Sequence, residues 1–339
     1  MTHLTYLEAA VVGLVQGVTE LFPVSSLGHN VLIPALVGGS WASDLSVAKP
    51  ESPYLAFIVG LHVATAIALL IYFWRDWVRI IGGFFTSLGQ FARPAEGTRR
   101  WQLQDTNQKL AWMVILATIP VGLVGLKFEH EFRVLFGKPI RAAIFLVVNG
   151  LILLAGEKLR RPASIQADQD IARERELVAV GGARREGPAR HAAGHQAERA
   201  AEYAQGLESD QRLARTSPLM SVLIGCAQIL ALLAGISRDG VTMVAGMFSG
   251  LSREDAARFA FLLATPVILA AGALKMGDLI TLGKGIYGPI LLGSILSGVG
   301  AYLSVRFLVR YFRTRTLTPF AIYCLVVGLG SIVYLSVIK

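Results

Sequence analysis

Six long apolar segments constrain the fold of this chain more than any other feature of its sequence. They cover residues 54–74, 109–128, 140–157, 255–275, 286–308 and 318–337. A helix needs roughly 20 predominantly apolar residues to cross the hydrocarbon core of a bilayer. The composition agrees, since 54% of the 339 residues are hydrophobic and only 16% are charged. The sequence therefore predicts an all-α polytopic membrane protein.

Two halves of the chain, residues 1–157 and 218–339, share a pattern of small and polar residues. A shift of 212 positions superimposes Gly13, Gln16, Ser25 and Gly28 on Gly225, Gln228, Ser237 and Gly240. Each half has one interrupted apolar segment, 5–38 or 218–250, followed by three spans. Because three spans are an odd number, the second half starts on the opposite side of the membrane from the first. The two halves must therefore have opposite orientations in the membrane. This pattern predicts an inverted-topology repeat, each half being one re-entrant broken helix pair plus three transmembrane helices.

The segment between the halves, residues 158–217, is rich in Ala, Arg and Glu and contains few large apolar side chains. It is predicted to be a solvated cytoplasmic linker in which residues 165–178 form a short surface helix. Lys and Arg collect on the cytoplasmic side of membrane proteins. This segment and the loops at 75–109, 253–258 and 306–317 contain 23 of the 32 Lys and Arg residues. We therefore expect both termini outside, and the net charge of +9 requires no nucleic-acid partner.

A first polar cluster interrupts the apolar segment 5–38. It consists of Gln16, Glu20, Ser25, Ser26 and His29. An ionisable group at membrane depth is costly unless it is paired or hydrated, and so indicates a functional site. Pro23 ends the helix that carries Gln16 and Glu20, so the serines begin the next helix, where backbone N–H groups can bind phosphate. The alternative is that Glu20 makes an interhelical hydrogen bond and the serines only cap a helix.

A second polar cluster occupies the matching place in the second half. It consists of Ser237, Arg238, Asp239 and Thr242. The planar guanidinium group of an arginine fits phosphate oxygens and stays charged. Because the repeat aligns Ser26 with Arg238, the two clusters are expected to meet. The alternative is a structural ion pair between Arg238 and Asp239. His62, within the span 54–74, is interpreted as a packing residue in preference to a member of the site.

The two clusters resemble the motifs of the undecaprenyl-diphosphatase family, also called the bacitracin-resistance family. The first motif is the Gln16 and Glu20 pair followed by PVSSLGH, and the second is AGISRDGVT. The stretches RFAFLLATPVILAAG and TPFAIY are also similar, so the resemblance covers nearly the whole chain. Asp239 and Ala234 depart from it, because the family usually has a serine and a proline there. Gln16 takes an amide option that the family permits, which argues against a metal site made of two carboxylates.

The resemblance implies that the protein hydrolyses undecaprenyl diphosphate to undecaprenyl phosphate and so recycles the lipid carrier for cell-wall synthesis. It also implies a multi-pass protein of the bacterial plasma membrane whose site opens to the outer face. The expected partners are a polyprenyl diphosphate lipid and the bilayer, and a homo-oligomer is compatible with the sequence. The alternative function is a transporter or flippase for polyprenyl phosphate lipids, since an inverted repeat with two broken helices is equally a transporter architecture.

The residue types suggest roles for a phosphatase. Arg238 is expected to bind the diphosphate, with Ser26 as the nucleophile and His29 as the general base. Glu20 is expected to orient His29 or to bind a divalent cation, Mg²⁺ or Ca²⁺. The predicted substrate-binding residues are Gln16, Ser25, Ser237, Asp239 and Thr242. Attack by an activated water, with Ser26 acting only as a ligand, stays open.

Overall fold

The computed structural model describes residues 4–45, 53–92, 103, 105–136, 138–183, 194–280 and 287–338, and in these residues all regular structure is helical. The first half contains α1 (Tyr6–Thr19), α2 (Ser26–Val37), α3 (Gly39–Asp44), α4 (Pro53–Tyr72), α5 (Trp74–Ala92), α6 (Thr106–Phe136) and α7 (Pro139–Lys158). Two helices follow, α8 (Pro162–Ala183) and α9 (Gly194–Leu213). The second half contains α10 (Pro218–Ala227), a 3₁₀ turn (Gln228–Leu232), α11 (Arg238–Phe248), α12 (Arg253–Ile280), α13 (Tyr287–Tyr311), α14 (Thr318–Val333) and a π-helical turn (Tyr334–Ile338).

The predicted all-α membrane class is confirmed. Among the described residues, helices α6, α7, α12 and α13, and α14 together with the π-helical turn, contain stretches long and apolar enough to cross a membrane. They coincide with five of the six predicted spans. The sixth span, 54–74, coincides with α4, which bends by 85° into α5. Helix α5 lies in a region predicted only as a loop, and its exposed apolar side chains recur every three or four residues, as at Trp74, Val78 and Ile81. That spacing is typical of a helix lying along a membrane interface.

Both interrupted segments are broken helices. Helix α1 ends at Thr19 and α2 begins at Ser26, and their 14 and 12 residues are about 21 and 18 Å long, too short to cross a bilayer singly. In the second half α10 ends at Ala227, and α11 begins only at Arg238. The backbone groups freed at each break must find partners within the protein, because lipid offers none.

Equivalent glycines of the two halves make equivalent helix contacts. Helix α1 packs along α13, and α10 packs along α6. A Cβ atom at Gly13 would lie 2.4 Å from the carbonyl oxygen of Gly293, and one at Gly225 would lie 2.1 Å from that of Ala117. A larger residue at either position would push the helices apart, as at other close helix crossings in membranes. Gly13 and Gly225 are related by the shift of 212.

The segment 158–217 is not a solvated linker throughout. Helix α8 includes the predicted surface helix 165–178. Helix α9 is fixed to the membrane helices by Asp210, whose side chain is buried. The Asp210 carboxylate accepts hydrogen bonds from Arg79 of α5 at 2.9 Å and from Arg258 of α12 at 2.7 and 3.0 Å. Paired charges are the usual condition for burying an aspartate, and the sequence gives no local sign of this pairing.

Candidate active site

Glu20, in the break between α1 and α2, is the acceptor at the centre of the site. Its side chain is buried, and its two oxygens contact four donors. Gln16 Nε2 donates at 2.8 Å, and the Ser26 hydroxyl also donates to the carboxylate. Arg238 Nη2 donates at 3.1 Å from the other half, and His62 Nε2 lies at 3.3 Å. These donors stabilise a carboxylate that would otherwise be costly in a buried position.

Arg238 is the first residue of α11 and joins two carboxylates. Its Nη2 contacts Glu20, and its Nε donates to Asp239 Oδ1 at 3.2 Å. Arg238 therefore pairs with Asp239, as the alternative interpretation expects, but it also reaches the first cluster. The second oxygen of Asp239 is buried without a hydrogen-bond partner in the described residues. Arg238 Nη1 makes no hydrogen bond to any described residue, so the guanidinium group keeps donors for an anion.

The serines place two helix starts at the site. Ser25 caps α2, and its hydroxyl oxygen accepts from Gly28 N and, across the halves, from Gly235 N, each at 3.2 Å. Its φ of 69° lies in the left-handed region, which is strained for a residue with a side chain. Ser237 caps α11 in the same way by accepting from Gly240 N at 3.2 Å. The first N–H groups of a helix have no acceptor within it and attract anions.

Close backbone contacts hold the two breaks together. A Cβ atom at Gly28 would lie 2.9 Å from Gly235 Cα, and Gly235 itself has a φ of 114°. Asn149 of α7 connects both breaks, donating to the Pro23 carbonyl and accepting from Ser237 N, each at 2.9 Å. Asn149 is not among the residues predicted from the sequence. Its signal was a polar residue inside the predicted span 140–157, within the stretch LVVNGL (146–151), which resembles LVVGL (325–329) in the second half.

His29 is held away from the proton of Ser26. Its Nδ1 lies 2.7 Å from the Ser25 carbonyl oxygen, and its Nε2 lies 2.8 Å from the Tyr323 hydroxyl. Because a carbonyl only accepts, Nδ1 carries a proton, and in the neutral ring Nε2 accepts from Tyr323. The Ser26 hydroxyl donates to Glu20 instead. In this arrangement Glu20 is the acceptor for the Ser26 proton. Tyr323, in the TPFAIY stretch, lies beside the candidate site and was not predicted from the sequence.

His62 contacts Glu20 at 3.3 Å, which its interpretation as a packing residue does not account for. Its Nδ1 is 2.8 Å from the Ile58 carbonyl oxygen and must therefore carry a proton. Its Nε2 faces the Glu20 carboxylate, which also can only accept. The contact thus favours a doubly protonated, cationic imidazole. The signal in the sequence was the same one that selected Glu20, an ionisable residue at membrane depth.

Two predicted substrate-binding residues make mainly supporting contacts. The Thr242 hydroxyl donates to the Arg238 carbonyl oxygen at 2.7 Å, within the first turn of α11. Gln16, besides donating to Glu20, accepts from Asn30 Nδ2 at 2.6 Å. Both side chains therefore hold the groups that lie nearer the site's centre.

The side chains at this site fit an anion better than a metal ion. Among the described residues, no group of three or more His, Cys, Asp or Glu side chains is arranged to hold a metal. The nearest pair of carboxylates, Glu20 and Asp239, is bridged by the guanidinium group of Arg238. A cation and two helix starts are the arrangement that binds a phosphate group.

Comparison with known proteins gives consistent matches along the chain. A family model described as "Bacitracin resistance protein BacA" matches residues 9–185 and 191–330. An undecaprenyl-diphosphatase of Mycolicibacterium paratuberculosis is 56% identical over 336 residues, with 98% of each chain covered. Undecaprenyl-diphosphatase 2 of Frankia alni is 52% identical, with 97% of each chain covered. Undecaprenyl-diphosphatase 2 of Chromobacterium violaceum is 38% identical, with 97% of this chain and 98% of the relative covered.

Proposed function

The chain belongs to the bacitracin resistance protein BacA family, and on this premise we propose that Glu20, Ser26 and Arg238 form the active site of an undecaprenyl-diphosphatase. The protein hydrolyses undecaprenyl diphosphate to undecaprenyl phosphate and inorganic phosphate. This reaction recycles the lipid carrier for cell-wall synthesis and confers bacitracin resistance. The observation that supports the proposed site most directly is the contact of Glu20 with both Ser26 and Arg238 inside the bundle.

In the proposed complex the terminal phosphate lies at the starts of α2 and α11. Arg238 binds its oxygens and stabilises the charge on the phosphoryl group during transfer. Ser25 and Ser237 keep the two helix starts in place, while Gln16, Asp239 and Thr242 hold Glu20 and Arg238. The lipid chain leaves the site towards the bilayer, since its many apolar carbons are stabilised only there.

The proposed first step is attack by Ser26 Oγ on the terminal phosphorus. The bond from that phosphorus to the bridging oxygen breaks, undecaprenyl phosphate leaves, and the Ser26 proton passes to Glu20. In the second step a water attacks the phosphoserine, and Glu20 returns its proton to Ser26 Oγ. The water gives its proton to the Tyr323 hydroxyl oxygen, which passes its own proton to His29 Nε2. Inorganic phosphate is the second product. In the alternative mechanism, water attacks directly and Ser26 is only a ligand.

A requirement for Mg²⁺ or Ca²⁺ stays a prediction. In the part of the chain that the structure describes, Glu20 and Asp239 are the carboxylates near Arg238, and both are engaged with it. If a cation is required, Glu20 is the residue we expect to contact it, with the diphosphate oxygens as its other ligands. Such a cation would neutralise charge on the diphosphate.

We also propose the inverted-topology repeat, with both termini and the opening of the site on the outer face. The shift of 212, the equivalent contacts of Gly13 and Gly225, and the two broken helices support the repeat. The distribution of Lys and Arg supports the orientation. A homo-oligomer stays a prediction.

Phosphate release from undecaprenyl diphosphate by the purified full chain tests the site. We expect Glu20→Gln and Arg238→Gln each to lower kcat/KM by more than about 10³-fold, or about 4 kcal/mol. Arg315→Gln is the matched control, because Arg315 is an exposed arginine outside the site, and it should keep normal activity. Normal hydrolysis by a folded Arg238→Gln protein would disprove the proposed site.

A further inference from the structure

A cavity of about 290 Å³ lies far from the active site, beside the bend between α4 and α5. The start of α12 and the C-terminal part of α13 form its other walls, and α9 covers it. His62, which contacts Glu20, and Tyr72, which lines the cavity, are ten residues apart on α4. The cavity therefore begins about 15 Å along that helix from His62. Each of the four segments rich in Lys and Arg contributes to the lining, through Arg75, Tyr203, Arg258 and Arg306.

The lining has more positive than negative charge. Five arginines and three carboxylates line the cavity. Arg258 and Arg310 are paired, with Asp76 at 3.0 Å and Glu202 at 2.6 Å. Arg306 has no carboxylate partner among the described residues. The pocket therefore has an excess of two positive charges, which matches the dianion of a phosphate monoester.

Arg75 is positioned by aromatic rings instead of a carboxylate. Its guanidinium carbon lies 5.3 Å from the ring centre of Trp74 and 5.3 Å from that of Tyr203. Stacking of this kind orients the guanidinium plane and leaves its N–H groups available to an anion. Arg313 adds a donor, since its buried Nε makes no hydrogen bond to any described residue and lies 3.8 Å from Glu254.

Exposed apolar side chains form part of the rim of the cavity. Ile71 and Trp74, which line it, are each more than half exposed. Trp and Tyr side chains are enriched at the level of the lipid headgroups, and basic pockets between membrane helices bind anionic headgroups. We propose that this pocket binds the phosphate monoester headgroup of a membrane lipid on the side of the bilayer that carries α8 and α9. The lipid chain lies along the exposed surface of α4 and α13.

Binding of a short-chain phosphatidic acid to the purified full chain tests this site, with phosphatidylcholine of the same chains for comparison. In the double variant Arg75→Gln/Arg306→Gln we expect the Kd for phosphatidic acid to rise at least about tenfold, because two charge-assisted hydrogen bonds are lost. Arg315→Gln is the matched control and should bind normally. Phosphatase activity within twofold of normal shows that the double variant is folded, because neither residue belongs to the active site.

Binding of inorganic phosphate tests whether the pocket is a site for a lipid headgroup or for free phosphate. We expect it to bind at least about tenfold more weakly than phosphatidic acid, because it lacks the lipid chain. Equal binding of the two would overturn the assignment to a lipid. An unchanged Kd in the double variant, an equal loss in Arg315→Gln, or equal binding of phosphatidylcholine would each overturn the site itself.

Discussion

At the scale of single residues, the hydroxyl of Ser26 decides between a covalent intermediate and direct attack by water. If Ser26 is the nucleophile, Ser26→Ala should lower kcat by more than about 10³-fold, or about 4 kcal/mol. Phosphate release from undecaprenyl diphosphate measures this loss. Ser43→Ala, which removes an exposed hydroxyl from α3, is the control. A loss of only about tenfold in Ser26→Ala would exclude the covalent route and leave Ser26 as a ligand.

His62 provides a second test at this scale, because its contact with Glu20 is a hydrogen bond to a buried charge. Removing such a bond costs about 1.5–3 kcal/mol. We therefore expect His62→Leu to lower kcat/KM by about 10- to 100-fold. His62→Gln should lose less, since an amide can still donate to Glu20. Equal losses in the two variants would mean that His62 acts by its size and not by its donated hydrogen bond.

The residues at the centre of the candidate site stand out in the sequence, but the pairs they form do not. Glu20, Ser26 and Arg238 stand out because polar groups are rare in apolar segments. His62 and Tyr323 carry the same kind of signal, but a single polar residue in a span is more often a packing residue. Their partners, Glu20 and His29, are distant in the chain, so only the packing of α4 and α14 shows that they belong to the site.

At the scale of helices, proline and serine made the first break predictable. Pro23 cannot donate a backbone hydrogen bond, and Ser25 caps the next helix. Helix α5 was not predicted, because its arginines and its position between spans suggested a loop. The bend of 85° after α4 depends on where α5 packs against α6, which no local pattern encodes.

The contact between the two breaks can be tested at Gly28. The added methyl group of Gly28→Ala would lie 2.9 Å from Gly235 Cα, so the backbones must separate. Overpacking of this kind costs about 1–3 kcal/mol in stability. We expect a larger effect on kcat/KM, because separating the breaks lengthens the contact of Glu20 with Arg238. Thermal unfolding and phosphate release measure the two effects.

Gly122→Ala is the matched control for this experiment, because a Cβ atom at Gly122 of α6 meets no other atom within 4 Å. It should change the free energy of unfolding by less than about 0.5 kcal/mol and the rate of phosphate release by less than about twofold. Normal activity of Gly28→Ala would show that the spacing of the two breaks does not control the site.

At the scale of the whole molecule, the repeated residues predicted which parts of the chain meet. The shift of 212 aligned Ser26 with Arg238, and the two clusters lie together in the structure. The role of the segment 158–217 was less predictable. Its composition indicates solvation, but the burial of Asp210 depends on Arg79 and Arg258, which come from two distant helices.

Asp210 therefore provides the test of how the connecting segment contributes to the whole protein. In Asp210→Asn, two partly buried guanidinium groups lose a charged partner, which costs about 2–3 kcal/mol. We expect the temperature of thermal unfolding of the purified protein to fall by about 5 °C or more. The activity of the folded fraction should stay normal, because no described residue of α9 contacts Glu20 or Arg238. Asp170→Asn, at an exposed position of α8, is the matched control. An unfolding temperature equal to that of the control would mean that α9 rests on the membrane helices without stabilising them.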